Sequence, residues 1–376
     1  MFPARSGEPV QKVREASDEF EWTFVDVSGD EAAENKAWGV VREKNAEPFN
    51  LERETPVRVV VIQVSTDEHL LLVLFHHIAI DEWTLGRALG EVEEVYEASQ
   101  EGREPDLSEP TIQYGDYAIW QQQQMERQVF DEGLAFWRDH LEEAPSTIEW
   151  PASKPPTSES HPVEAVHFRW DEDTTVNLRK LAEEWDTSVF VSLTAAFTGL
   201  LSTYTGQCDM VTGIPVTLRK RPELQELVGF VLNTLPLRLQ PKPGRGFSDW
   251  LQDTRDEWND TLPHQWIPLE EIVQVVGAER RTGRLPLFDV MFTYVPSVGE
   301  LRGTFADLEA EVLEFEELPE AKCALNVTVT ERNGAFEGRF KFDTGRFERS
   351  TIEQLVQYFE RFVEESLADP EAPMGG

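Results

Sequence analysis

The sequence predicts a mixed α/β protein built as two lobes, and three observations predict it. Short apolar runs rich in branched residues, such as Pro56 to Val64 and Leu70 to Phe75, are bounded by turn residues and read as strands. Other segments place apolar residues at helical spacing, for example Leu85, Leu89, Val92 and Tyr96. A proline- and serine-rich stretch without periodicity, Pro151 to Pro162, divides the chain into an N-terminal lobe, 1–150, and a C-terminal lobe, 151–376. A chain of 376 residues is long enough for about two domains, each with a sizeable core.

Taken in order, the acidic stretch from Glu15 to Glu47 holds an extended segment, Phe20 to Val25, and then a polar, helix-permissive one. The run from Pro56 to Val64 pairs with Leu70 to Phe75 through the turn Ser65 to Glu68. That second run reads as a strand buried on both faces, and it ends in His76 and His77. Asp81 stands where the N-cap of the following helix belongs, its side chain free to accept the first amide protons. Phe130, Leu134, Trp137 and Leu141 mark another amphipathic helix. In the second lobe Ser188 to Tyr204 reads as a buried helix, Met210 to Val216 as a strand and Phe247 to Leu262 as a helix. Val327 to Phe342 is a hairpin turned by Asn333-Gly334, and Ile352, Leu355, Phe359, Phe362 and Val363 are the apolar face of a last helix.

The charge balance is extreme, with 34 basic against 71 acidic residues, a net charge of −37. Such a charge repels nucleic acid and anionic membranes, and it strains the compact state at low salt. Only nine of the basic residues are lysine, and abundant carboxylate with scarce lysine looks like the proteins of salt-accumulating halophiles. No apolar stretch reaches transmembrane length and no signal peptide opens the chain, so a cytoplasmic protein with no membrane is expected. Cys208 and Cys323 make no disulfide framework or zinc site, and both are expected as buried free thiols.

Neutral histidine takes or gives a proton near pH 7, so the pair at the strand end is a candidate general base. The same placement suits a packed core histidine, and spacing alone leaves both readings open. Adjacent strand residues point to opposite faces, so one of the two at most faces a given cavity. That geometry also argues against an iron site built from both histidines and Asp81, whose ligands must converge.

His76-His77-Ile78-Ala79-Ile80-Asp81 matches the HHxxxDG signature of the condensation domains of nonribosomal peptide synthetases up to its glycine, replaced here by Glu82. Tyr114-Gly115-Asp116-Tyr117-Ala118-Ile119-Trp120 resembles the family's YxDYAVW, and Gly213 to Leu224 its GTPVxGRxRPEL stretch. Val228 to Arg238 resembles VGFFVNTLPLR, His264 to Glu270 resembles HQDxPFE, and Arg284 to Phe292 resembles SRxPLFQVMF. Six motifs in family order, over nearly the whole chain, identify it as similar to that family and to the wider chloramphenicol acetyltransferase-like superfamily.

The resemblance implies two acetyltransferase-like lobes in a V, with His77 at the bottom of the cleft. The start at Phe2 to Gln11 resembles the middle of the family's first lobe. The first lobe is therefore expected to be incomplete, lacking its opening strand and helices, while the last helix ends the chain as the family's does. An upstream segment or a partner polypeptide is expected to complete the lobe. The activity implied is amide formation between an acyl thioester donor and an aminoacyl acceptor, both borne on peptidyl or acyl carrier proteins. No cofactor binds directly; phosphopantetheine of the carrier proteins holds the substrates, and an adenylation enzyme is an implied partner. Carried over, His77 takes the proton from the attacking amine or orients it, His76 packs beside it, and Asp81 is structural, paired with Arg219. Asn233 and Thr234 line the channel or simply end a strand turn, and Tyr117 and Trp120 are core. Glu82 either adds a carboxylate beside His77 or points to solvent from the helix's first turn, where acid is favourable. Three functions stay open: the condensation enzyme, an ester-forming or acyl-CoA-dependent relative, and a catalytically silent carrier-docking module or truncated remnant.

Overall fold

The computed structural model describes residues 1–5, 7–13, 22–151, 153–154, 161–242, 244–278, 284–296, 303–305, 308–311, 313, 322–332 and 334–374. The chain forms two compact units. The first comprises Met1–Gln123, Arg219–Val231 and Thr304–Glu309, and the second Gln124–Leu218, Leu232–Gly303 and Ala310–Gly376.

A short ladder, β1 (Ala4–Arg5) with β2 (Glu8–Pro9), opens the first unit. After it come β3 (Trp22–Asp26), α1 (Ala33–Ala46), β4 (Val57–Gln63), β5 (His69–Phe75), α2 (Glu82–Glu101) and the start of α3 (Tyr114–Glu126). The expected β4–β5 hairpin forms, antiparallel, with Val57 opposite Phe75 and Gln63 opposite His69. β3 joins β4 in parallel, giving the order β3-β4-β5. Val60 and Ile62 alternate inward from β4 and are the buried residues of this small sheet. The expectation of a strand buried on both faces fails for β5, where Leu71 is 51% exposed. β5 is an edge strand among the described residues, and His69 and Leu71 alternate outward on one of its faces, which a run of leucines does not reveal. Phe20 and the residue after it lie outside the described residues, as do 152 and 155–160 of the expected linker.

The second unit runs through α4 (Asp131–His140), β6 (Val163–Arg169), α5 (Glu172–Glu184), α6 (Val189–Thr205) and β7 (Met210–Thr217). After α7 (Pro222–Gln225), which belongs to the first unit, it resumes with β8 (Leu232–Leu239), α8 (Phe247–Thr261) and α9 (Leu269–Val276). Next comes β9 (Val290–Val295); the small β10 (Gly303–Phe305) and β11 (Leu308–Ala310) pair that follows it in sequence lies mostly in the first unit, through Thr304–Glu309. The chain finishes with β12 (Leu325–Arg332), β13 (Ala335–Asp343) and α10 (Arg349–Ala368). Among the described residues β6, β13, β12, β9, β7 and β8 form one mixed sheet in that order, β9 parallel to both β12 and β7. α6 is buried from Val191 to Leu201 and is capped by Ser188, whose hydroxyl accepts the Val191 amide. Phe197 stacks on Phe292 of β9, while Phe340 and Phe359 meet edge to face, so this unit's core lies between its sheet and its helices. The β12–β13 turn leaves two residues between Arg332 and Ala335; Gly334 takes φ +77°, and Asn333 lies outside the described residues.

The units divide after Gln123, well before the expected break at 150. The reason is packing: α4 lies against α9, and the Ile148 amide donates to buried Asp289, tying residues 124–150 into the second unit. Of the two cysteines, Cys323 is buried as expected and Cys208 is exposed, and neither forms a disulfide. No single helix among the described residues is long and apolar enough to cross a membrane.

Candidate active site

The histidine pair lies just beyond β5, in the turn between Phe75 and α2, rather than within the strand. The Ala79 amide donates to the His76 carbonyl and closes this turn, whose two rings are held in opposite senses. His76 Nδ1 accepts the Ile78 amide at 3.1 Å, so in the neutral ring its proton sits on Nε2. His77 Nδ1 lies 2.7 Å from the carbonyl oxygen of Ile80, which can only accept. The proton of neutral His77 is therefore on Nδ1, and the lone pair is on Nε2. Phe230 packs edge to face on the same ring, 4.9 Å between centroids. His77 itself is exposed, so a lone pair with no partner among the described residues is open to a reacting group.

Asp81 is fixed by its burial. It caps α2 by accepting the Thr84 amide at 2.8 Å, and it accepts the Val231 amide at 3.0 Å. Arg219 closes on the same carboxylate, Nε to Oδ2 at 3.1 Å and Nη2 to Oδ2 at 2.9 Å, with both side chains 1% exposed. The guanidinium spends its remaining donors on the carbonyls of Leu224, Leu227 and Gly229 and on the Thr84 hydroxyl. A buried ion pair holds together only when every lone pair and proton is satisfied this way. With each carboxylate oxygen committed, Asp81 has nothing left to offer a metal. Arg219 opens the segment Arg219–Val231, which leaves β7 and returns to β8 but folds with the first unit. Trp83 Nε1 pins the same segment through the Gln225 carbonyl at 2.8 Å.

The family model for condensation domains matches residues 1–375. The chain belongs to the condensation domain family. It is 30% identical over 379 residues to a linear gramicidin synthase of Brevibacillus parabrevis, covering 99% of this chain but 5% of that protein. The domain thus spans a small part of the curated relative it matches. Its fold superposes on the X-domain from teicoplanin biosynthesis with a TM-score of 0.89 at 22% identity, covering 99% of this chain and 84% of that one. The first condensation domain of the CDA synthetase gives a TM-score of 0.78 at 19% identity, again over 99% and 84%. The fold is accordingly the mixed α/β, chloramphenicol-acetyltransferase-like one.

Within this condensation domain the other expected residues separate. Glu82 is exposed in the first turn of α2, where its charge suits the helix N-terminus. Asn233 is buried on β8 and holds a turn: its amide donates to the carbonyls of Gln265 and Ile267, and its oxygen accepts the amides of Thr234 and Leu269. Nothing of its hydrogen-bonding capacity is left for a substrate. Thr234 is half-buried in the same strand opposite Pro215. Tyr117 is buried and stacks on Trp120, and burial pushes its phenol well above the ordinary range. Sequence reasoning missed Thr84, Gly229, Phe230 and Tyr114, although the last three lie in motifs it quoted. Thr84 three residues after an Asp cap carries no signal of its own, since a threonine there is ordinary.

Proposed function

We propose that the chain forms an amide bond between two carrier-borne substrates, an acyl thioester donor and an aminoacyl acceptor. The observation that carries this reading is His77, whose Nδ1–H is committed to Ile80 while the Nε2 lone pair stays open. The acceptor's amine nitrogen attacks the thioester carbonyl carbon, and the carbon–sulfur bond then breaks to release the phosphopantetheine thiol. His77 Nε2 receives the amine proton or orients it, and returns a proton to the leaving sulfur, so the reaction consumes no cofactor. His76 helps to hold the turn, its ring edge to face with Phe49 and its Nδ1 on the Ile78 amide, and Asp81 with Arg219 shapes the loop that presents His77. Glu82 stays in solvent, and Thr234 with Asn233 serves the scaffold. Phosphopantetheine arrives as part of the carrier proteins, and an adenylation enzyme or domain loads those carriers. The acidic surface suits a salt-rich cytoplasm.

The test is reconstitution in high salt with one carrier loaded with an acyl group and a second with an amino acid, the products being released and read by mass spectrometry. An amide on the second carrier that depends on both carriers supports the reading. An ester product, transfer from free acyl-CoA, or carrier binding without turnover replaces it with the corresponding alternative.

A further inference from the structure

An exposed histidine acts as a proton acceptor only while its ring stays in one rotamer and one tautomer, because each alternative turns Nε2 away or protonates it. Among the described residues two contacts define the His77 ring: the Ile80 carbonyl on Nδ1 and the ring of Phe230, at 86° and 4.9 Å between centroids. Phe230 is held unusually firmly for a residue outside any helix or strand. On its N-terminal side the Thr84 hydroxyl donates to the Gly229 carbonyl at 2.9 Å and accepts the Gly229 amide at 3.2 Å. The same oxygen takes Arg219 Nη2 at 2.8 Å, which uses the full capacity of a hydroxyl, one proton and two lone pairs. On the C-terminal side the Val231 amide is bound to Asp81, and the Phe230 carbonyl itself accepts from Tyr114. A Cβ on Gly229 would stand 2.2 Å from the Tyr114 ring, so that close approach requires glycine. Thr84 joins this clamp from the first turn of α2, the helix that Asp81 caps directly after the histidine loop.

We propose that Phe230, locked in place by the Thr84 hydroxyl, is the positioning residue that keeps His77 in the single rotamer and Nδ1–H tautomer that leaves Nε2 open. The inference rests on the reading of His77 given above and adds the device that holds it. Phe230 touches no reacting atom in this scheme and acts through the imidazole alone.

The test is nitrogen NMR of protein labelled with 15N-histidine, the His77 signal assigned by its loss in His77→Gln, together with single-turnover amide formation. Wild type is expected to show neutral His77 as the Nδ1–H tautomer. Phe230→Leu, which keeps apolar bulk without the aromatic ring, should shift His77 towards the mixed tautomers of a free imidazole. It should also lower the single-turnover rate about 10- to 100-fold with little change in substrate affinity. Thr84→Val should move both readouts the same way, and Thr84→Ser should restore the wild-type pattern. A folded Phe230→Leu protein with an unchanged His77 tautomer and rate would overturn the proposal, as would wild-type His77 found as the Nε2–H form. Phe230→Tyr keeps the ring and checks the fold if the leucine variant does not accumulate; a mixed His77 tautomer in it would also count against the proposal. The NMR readout does not depend on turnover. A wild type with ordered His77 and no amide product would refute the proposed function while leaving the positioning role standing.

Discussion

Arg219→Met tests the buried network directly. Arg219 and Asp81 are each 1% exposed in their side chains, and the carboxylate keeps only the Thr84 and Val231 amides once the guanidinium is gone. The substitution also strips donors from the carbonyls of Leu224, Leu227 and Gly229. Removing one partner of a buried pair costs about 3–5 kcal/mol, because the charge that remains is stranded. The assay is native-state hydrogen exchange at the Thr84 and Val231 amides, which both donate to Asp81 and so report the opening of this cluster. Their protection should fall by roughly 10²- to 10⁴-fold, while amides of α6 in the other unit hold. Adding Asp81→Asn to Arg219→Met should cost less than the two single changes together, since neither charge is then left alone. Protection at Thr84 and Val231 within about threefold of wild type in Arg219→Met would refute the view that this pair organises the histidine loop.

Asp289 should give the second unit a defined pH response. Burial pushes its carboxyl up to about 6, against hydrogen bonding from the Ile148 amide and the charges of Arg346 and Arg284. Between the unfolded and folded values the folded chain holds a proton the unfolded chain has lost, so this carboxyl's contribution to stability declines as pH rises through about 6. Asp289→Asn should therefore gain stability relative to wild type by roughly 1–1.5 kcal/mol on going from pH 5 to pH 8, read from urea midpoints. Asn233→Ala removes the partner that its side chain gives to the Gln265 and Ile267 carbonyls and to the Thr234 and Leu269 amides, and should cost about 3 kcal/mol in chemical denaturation. With 71 acidic against 34 basic residues, the melting temperature should climb with potassium chloride as the screening length shrinks from about 30 Å at 0.01 M to about 3 Å at 1 M; an unchanged melt across that range would sink the halophile reading.

Local patterns are legible where one element's periodicity decides the outcome. Asp81 capping α2 and the pairing of β4 with β5 through a short turn are both signalled by residues within a few positions of one another. Legibility falls where tertiary context decides. The leucines of β5 look the same whether both faces of a strand are covered or only one, and Leu71 is on a face left exposed. Residues 219–231 sit in sequence between two strands of the second unit, yet they fold with the first, because Arg219 finds its carboxylate 138 positions earlier. Asn233 stands out as a polar residue in an apolar strand, but whether its amide serves substrate or scaffold depends on the 265–269 turn, which sequence does not place beside it. The tautomer of His77, the feature closest to chemistry, depends on how its ring is held against a carbonyl three residues away and becomes visible only with the turn built.

The most direct test of the central claim is single-turnover amide formation between a donor-loaded and an acceptor-loaded carrier protein, comparing wild type with His77→Ala. Loss of a positioned proton acceptor should slow the step by about 10²- to 10⁴-fold while both carriers still bind. Equal rates in the two proteins would contradict the assignment of His77 as the group that handles the amine proton.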